Sequence, residues 1–300
     1  MELETLAACV ASMSCVVTQI ISGLIIGVLL FLVASGVTLI FGVLKVINFA
    51  HGSFYMLGAY LAYTAYVVTG SYTVAIVVGA LGVALFGILF ERFFISRVYG
   101  SNVLMQLLVC YAFILILDDA VKIIWGSEYL SMGMPDAFRL PPIRIGGGFA
   151  PPFYLFLIAI AIAIGFALWV IVERTRFGKI VRAAAHNGDM VSALGIRTPY
   201  LYAAVFGLGS LLAGAAGALA GPVRSLTPGM GFSILIMSFV VTVVGGMGSI
   251  AGAFVAALLI GVTRSFGSIG FPLFVDGLMF LIMTLVLIFK PTGLFGRRFA

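Results

Sequence analysis

The stretch FGVLKVINFAHGSFYMLGAY, residues 41–60, places polar side chains between two long apolar runs. Lys45, Asn48 and His51 fall within seven positions of one another. Gly52 and the serine after it predict an interruption of the helical chain. Asn48 could satisfy backbone groups freed by the break, because lipid offers them no partner. The stretch therefore predicts a bundle of membrane helices, at least one of which is interrupted.

The composition of the whole chain agrees with a membrane protein. Hydrophobic residues make up 63% of the 300 residues and charged residues 9%, with a mean hydropathy of +1.27. A water-soluble domain carries about 25% charged residues, so this chain could not bury its apolar surface in an aqueous globule. We interpret it as an integral membrane protein.

Apolar runs of about 17–25 residues recur along the chain, and each is long enough to cross a hydrocarbon layer as a helix. We predict a single transmembrane domain over residues 1–300, an all-α, polytopic helix bundle of about 8–10 spans with interrupted helices. The nine candidate spans are 16–42, 53–69, 71–90, 103–124, 153–172, 200–221, 230–247, 250–267 and 273–289.

Basic residues predict the orientation of the bundle. The turns after the odd-numbered spans, together with the C-terminus, hold 11 of the 16 basic residues but only three of the ten acidic ones. The positive-inside rule therefore places these turns and the C-terminus in the cytoplasm and the N-terminus outside. The net charge of +6 is explained by topology, and no basic soluble face predicts nucleic-acid binding.

Three roles are open for the polar cluster at the break. Asn48 and His51 could satisfy local backbone, could line a translocation pathway together with Tyr55, or could contact a cytoplasmic partner. Lys45 could reach the membrane interface along its aliphatic chain. Catalysis is not predicted, because no nucleophile or carboxylate accompanies His51 and His186 is the only other histidine.

Other motifs narrow the function further. A phosphate-binding G-x-x-x-x-G-K-[ST] loop is absent from the sequence, so any ATP would be bound by another subunit. The three cysteines, Cys9, Cys15 and Cys110, lack metal-ligand spacing and are expected to be small packing residues. We predict neither a cofactor nor a metal in this chain, and no enzyme activity.

Two hydrophilic segments are longer than turns. Residues 123–153 are rich in proline and glycine and could be a plain extracytoplasmic connection, or a lid or docking surface. Residues 173–202 show helical spacing of apolar residues interrupted at HNGD, which predicts two short helices, with Gly188 at the bend and Asp189 as a cap. These helices could rest on anionic lipid, but Ala183–Ala185 favours docking in a protein cleft. Residues 245–252, GGMGSIAG, predict a further turn or unwound stretch.

Four stretches together resemble a known family. GVTLIFGVLKVINFAHGSFYMLGAY (36–60), TRFGKIVRAAAHNGDMVSALGI (175–196), VVGGMGSIAGAFVAALLIG (243–261) and KPTGLFG (290–296) occur in order over nearly the whole chain. They are similar to the signature stretches of LivH-type permeases, the membrane subunits of branched-chain amino acid ABC importers.

The resemblance implies a set of partners and a location. The partners are a second, related permease subunit, two cytoplasmic ATPase subunits that bind ATP, and a periplasmic substrate-binding protein. The location is the bacterial inner membrane, in contact with lipid. The segment 173–199 resembles the coupling loop that docks on the ATPase. Its candidate coupling residues are Arg176, Gly178, Arg182, Ala183, Ala185, Gly188 and Gly195.

The sequence therefore predicts a permease subunit that moves leucine, isoleucine and valine into the cytoplasm, with the solute passing between this subunit and a related one. The same superfamily carries urea, short amides and some aromatic acids, so these solutes stay open. A stand-alone secondary transporter is the alternative from another class.

Overall fold

The structure is a computed structural model that describes residues 2–296. Helices account for nearly all of its regular structure, which confirms the predicted all-α class. The helices are α1 Glu2–Ala11, α2 Met13–Leu44, α3 His51–Thr69, α4 Tyr72–Phe93, α5 Val103–Trp125, α6 Pro152–Arg174, α7 Arg176–His186, α8 Gly188–Ala193, α9 Thr198–Ala220, α10 Met230–Gly245, α11 Ile250–Gly270 and α12 Val275–Phe289. A small hairpin pairs β1 Ile143–Ile145 with β2 Gly148–Ala150.

A helix lies at each of the nine predicted span positions. By length and composition, six segments of the described chain suffice to cross a membrane. They are Met13–Leu44, Tyr72–Val98, Pro152–Arg174, Thr198–Ala220, Ile250–Gly270 and Pro272–Phe289. The protein is therefore a multi-pass membrane protein. The helix α10 is apolar but shorter, with 16 residues, and begins inside the bundle.

The centre of the bundle is formed by α2 and α9, whose most apolar windows are each 83% buried, whereas that of α12 is 11% buried. Small residues let the backbones approach closely, as is usual in membrane helices. Gly217 of α9 packs on the backbone of α3 at Tyr55, and Gly27 of α2 packs on α11 at Ala257. The exposed apolar faces of the outer helices are suited to lipid or to another subunit.

The turns predicted to share one side of the membrane do meet at one end of the bundle. Gly42, near the end of α2, approaches Gly248 in the turn after α10. The ring of Tyr99, after α4, lies 5.8 Å from that of Tyr202, which follows α8. We call this the basic end, defined by residues 45–50, 94–102, 175–197 and 246–249, and the other the opposite end.

The cysteine prediction was wrong for two of the three residues. Cys9 and Cys15 form a disulfide that links α1 to the beginning of α2. Only six positions separate them, and the short break between α1 and α2 turns the chain back so that the sulfurs meet. Cys110 is a free, buried packing residue in α5, as expected.

Candidate substrate pathway and coupling surface

The polar cluster of residues 45–50 lies in a true break between helices. Lys45 ends α2 in a left-handed conformation, with φ 57°, and α3 begins at His51. Asn48 Oδ1 accepts a hydrogen bond from the Ala50 amide at 3.1 Å, so this side chain does serve the backbone at the break. Gly52 does not interrupt the helix as predicted. It lies in the first turn of α3, where amide groups have no intrahelical partner in any helix.

Four polar side-chain atoms at the break are buried and make no hydrogen bond within the described part of the chain: Asn48 Nδ2, His51 Nδ1, His51 Nε2 and Ser53 Oγ. The His51 ring packs against Gly36, eight residues before the end of α2. That separation corresponds to about 12 Å of helix, so the ring lies well inside the bundle. Buried polar atoms normally have partners, and a group of four that lack them among the described residues makes this region a candidate functional site.

The break at 45–50 meets the beginning of another helix. The first turns of α3 and α10 are in close contact, because a Cβ built on Gly231 would lie 2.7 Å from the Gly52 carbonyl oxygen. The chain therefore has two helix beginnings against each other in the interior. Interrupted helices that meet in the bundle are typical of solute-binding regions of transporters.

A half-open cavity of about 230 Å³ lies on the other side of this contact, toward the opposite end. Aliphatic side chains form most of its wall, and a few polar residues lie among them. The lining residues are Ser22, Ile25, Ile26, Leu29, Leu30, Val33, Tyr55, Tyr154, Val223, Arg224 and Ile234. An apolar cavity with a few polar groups is the usual form of a small-molecule site.

Tyr55 connects the cavity with the break. It is 3% exposed, lines the cavity and lies about one turn after His51 in α3. Val33, also in the lining, precedes Gly36 by one turn of α2. Of the three pathway candidates, His51 and Tyr55 thus lie one turn apart on α3, whereas Asn48 lies in the break with its Oδ1 3.8 Å from the Cys110 sulfur of α5. Arg224 was not among the candidates, since the sequence indicated only that it lies in an outer turn.

At the basic end, the segment 173–199 forms the two predicted short helices. Thr175 caps α7 by accepting a hydrogen bond from the Gly178 amide at 3.1 Å. Gly178 lies so close to the end of α6 that a Cβ there would overlap the Val172 carbonyl. The buried face of α7 belongs to a core cluster with Leu39 and Val43 of α2. Movement of α7 would therefore be transmitted to α2, just before the break.

The other coupling candidates are spread over the surface of this helix pair. Arg176 and Ala183 are exposed, and Ala185 is partly buried against the core. Arg182, one of the candidate coupling residues, forms an ion pair with Glu173 at 3.0 Å and donates to the Val172 carbonyl. This side chain holds α7 against the end of α6.

The second helix, α8, is capped by Asn187, and not by Asp189 as predicted. Asn187 Oδ1 accepts a hydrogen bond from the Met190 amide at 2.9 Å, because Gly188 is already the first helical residue. Gly195 adopts a φ of 83° after α8 and turns the chain toward α9. Sequence spacing assigned Met190 and Leu194 to an apolar face, but they are 60% and 75% exposed.

A further contact links α8 to α4. Glu91, 1% exposed, accepts a hydrogen bond from the Tyr99 hydroxyl at 2.6 Å. Burial and this bond raise the pKa of Tyr99, so the phenol keeps its proton and remains the donor. The Tyr99 ring packs edge-on against Tyr202, and Gly188 lies against the Tyr202 hydroxyl. In the sequence, the only sign of these contacts was an acidic residue, Glu91, directly after the predicted span 71–90.

The bundle thus has interrupted helices that meet inside it, a half-open apolar cavity and an exposed helix pair. These are features of the membrane-embedded class of solute transport proteins.

The chain belongs to the family described as branched-chain amino acid transport system / permease component, which matches residues 19–288. This confirms the predicted family. Members of the family are transport permease components and not enzymes, so the permease role is established and the non-enzyme prediction is confirmed.

Three relatives illustrate the match. The high-affinity branched-chain amino acid transport system permease protein BraD of Pseudomonas aeruginosa is 30% identical, over 93% of this chain and 95% of the relative. LivH of Escherichia coli K12, with the same descriptive name, is 30% identical over the same shares. The probable LivH permease of Methanocaldococcus jannaschii is 31% identical over 89% of each chain. No solved structure matches the chain.

Proposed function

We propose that this chain is the permease subunit of a binding-protein-dependent ABC importer that moves leucine, isoleucine and valine into the cytoplasm. The supporting observation is the cavity, whose wall of isoleucine, leucine and valine side chains complements a branched aliphatic solute. Urea would leave such a wall without apolar contacts. The relatives named above carry branched-chain amino acid transport in their names.

In this proposal, ATP is bound by two partner ATPase subunits and the chain itself holds no cofactor. A second, related permease completes the membrane unit, and a periplasmic binding protein delivers solute to the opposite end. The basic end and the C-terminus then face the cytoplasm of a bacterial inner membrane, as the distribution of basic residues favours.

Coupling in this proposal runs through the pair α7 and α8. An ATPase that docks on the exposed Met190 and Leu194 would move α7 as a rigid body, held to α6 by Arg182 and Glu173. The core contact of α7 with Leu39 carries that movement to α2 and to the break at residues 45–50. The cavity above the break would then close on one side and open on the other.

Reconstitution tests the function. The chain, purified with its partners, is placed in liposomes, and uptake of radiolabelled leucine is measured with and without ATP and binding protein. Uptake that needs both and resists excess urea and benzoate supports the proposal. Uptake without ATP would instead identify a secondary transporter, and ATP-dependent uptake of a competitor alone would change the solute.

Substitution of Met190 tests the docking surface in the same liposomes. Met190→Asp introduces a charge into an apolar contact, so we expect at least a tenfold loss of ATPase co-purification and of uptake. Met190→Leu keeps the apolar contact and serves as the control, with both readouts within about twofold of the unsubstituted chain. Normal co-purification of the aspartate variant would show that the ATPase docks elsewhere.

A further inference from the structure

Five basic residues lie at the opposite end of the bundle, and four of them have a partner within the chain. Lys122 pairs with Asp119 at 2.9 Å, Arg139 with Asp136 at 3.1 Å and Arg264 with Asp276 at 3.1 Å. The Arg144 guanidinium lies over the Phe149 ring. These four are explained by local interactions of an ordinary kind.

Arg224 is the exception. Among the described side chains, those of residues 4–296, Arg224 has no ion-pair or hydrogen-bond partner, and it lies in the turn after α9, where it lines the cavity. It is close enough to Tyr55 for an electrostatic interaction. Among the described residues that line the cavity, it is also the only charged one. Among the described residues, the cavity is therefore lined by one cation, the exposed Arg224, and by no anion.

We infer that Arg224 binds the carboxylate of the solute in this cavity, so that the site takes an α-amino acid with a branched aliphatic side chain. This inference rests on the proposed function and adds the residue that recognises the charged part of the solute. It also places a solute site inside this subunit, whereas the sequence predicted passage between two permeases.

The chemistry of the lining supports this arrangement. A guanidinium offers a planar pair of donors that matches the two oxygens of a carboxylate. The hydroxyl oxygens of Tyr55 and Tyr154 can accept hydrogen bonds from the ammonium group. The aliphatic side chain then lies against Ile25, Leu29 and the rest of the apolar wall.

Protection of an introduced thiol tests the inference on the full chain in membrane vesicles. Ser22→Cys places a thiol in the cavity lining, while Cys110 is buried and Cys9 and Cys15 are joined in a disulfide. The rate of modification by a membrane-impermeant methanethiosulfonate is measured against leucine concentration. Val223→Cys, also in the lining, provides a second reporter if the first variant folds poorly.

We expect leucine to protect the thiol and leucinol, which lacks the carboxylate, to protect at least tenfold less well. Adding Arg224→Gln should raise the half-protecting leucine concentration at least tenfold. Arg224→Lys, which keeps the charge without the paired donors, should fall between the two. Arg139→Gln removes an arginine from the same end outside the cavity and should change protection by less than twofold.

Equal protection with and without Arg224, equal protection by leucinol, or no protection at either thiol would overturn the inference. Leucine uptake by the reconstituted transporter, measured in parallel, separates this from failure of the proposed function. If leucine is taken up but protection does not depend on Arg224, the inference alone is wrong. If leucine is not taken up, the proposed solute is wrong.

Discussion

The helices are interrupted at two neighbouring places at the basic end, and the two interruptions are built differently. The turn 246–249 is well paired, since Val244 and Gly245 carbonyls accept amide hydrogen bonds from Leu294 and Phe295 at 2.8 and 3.0 Å. The break at 45–50 leaves polar atoms of three side chains buried without partners among the described residues. The described chain therefore supplies hydrogen-bond partners at the turn 246–249, but it leaves several polar atoms at the break without them.

The difference predicts that the turn 246–249 is structural and that the break at 45–50 is functional. A buried polar group without a partner costs about 1–3 kcal/mol, so the break at 45–50 is held at a considerable energetic disadvantage. Such groups persist where another state of the protein or a solute supplies partners. We therefore expect the break to rearrange during transport and the turn 246–249 to stay fixed.

The largest expected effect is on the fixed turn. Gly246 has a φ of 100°, and a Cβ there would lie 2.7 Å from the Gly296 Cα. Gly246→Val should therefore lower the free energy of unfolding by about 3 kcal/mol or more, through both backbone strain and overlap. The loss is measured as a drop in melting temperature of the detergent-solubilised protein, or as a loss of folded protein.

Gly147→Val is the matched control. Gly147, in the hairpin turn, has a φ of 86° but nothing near its Cβ position, so only the strain remains, about 1 kcal/mol. Equal melting temperatures of the two variants would show that the turn at 246 is not tightly packed.

The next prediction concerns the break, where one substitution should increase stability and decrease transport. His51→Leu replaces two buried nitrogens, which make no hydrogen bond among the described residues, with an apolar side chain, and this should raise the free energy of unfolding by about 1 kcal/mol. Leucine uptake should fall at least tenfold if His51 serves another state of the transporter. Both are measured on one preparation, by melting temperature and by uptake per folded protein.

Thr242→Val provides the comparison for His51, because the Thr242 hydroxyl is equally buried but donates to the Ser238 carbonyl at 2.8 Å. This variant should lose a little stability and keep its uptake. Normal uptake by His51→Leu would show that the break, like the turn, is purely structural.

A smaller effect is expected at Asn48. Asn48→Ala removes the acceptor of the Ala50 amide and should lower the free energy of unfolding by about 1 kcal/mol, because the amide is then buried without a partner. Uptake should fall as well, by several fold. Asn48→Ser keeps a short acceptor and should recover most of the stability. Recovery of stability without recovery of uptake would assign the Asn48 amide group to the pathway.

The sequence predicted the bundle well because membrane helices are defined by continuous apolar runs, which need no tertiary information. Local detail was less accurate. Gly52 was interpreted as the break because glycine disfavours helix interiors, but it begins a helix against Gly231, a contact that only the fold provides. The sequence predicted Asp189 as the cap, whereas the structure shows Asn187. Both residue types cap helices equally well, so residue type alone could not distinguish the two positions.

Arg224 shows why the candidate site was predicted only in part. A count of charges along the chain identifies an outer arginine but not its neighbours. The residues that line the cavity with it come from α2, from α3 and from α6, far away in sequence. That Arg224 is unpaired became clear only when partners had been found for Arg139 and the other basic residues at that end.

The smallest effect is expected at the capping serine of the fixed turn. Ser249 caps α11 by accepting a hydrogen bond from the Gly252 amide at 3.1 Å, so Ser249→Ala should cost about 1 kcal/mol of stability. This loss resembles that of Asn48→Ala, but uptake per folded protein should stay within about twofold. Ser249→Ala and Asn48→Ala each remove a side-chain acceptor of a backbone amide, one at each interruption. Comparing the two variants shows at which interruption transport depends on that acceptor. A loss of uptake in Ser249→Ala equal to that in Asn48→Ala would mean that both interruptions move, and that hydrogen-bond pairing does not distinguish them.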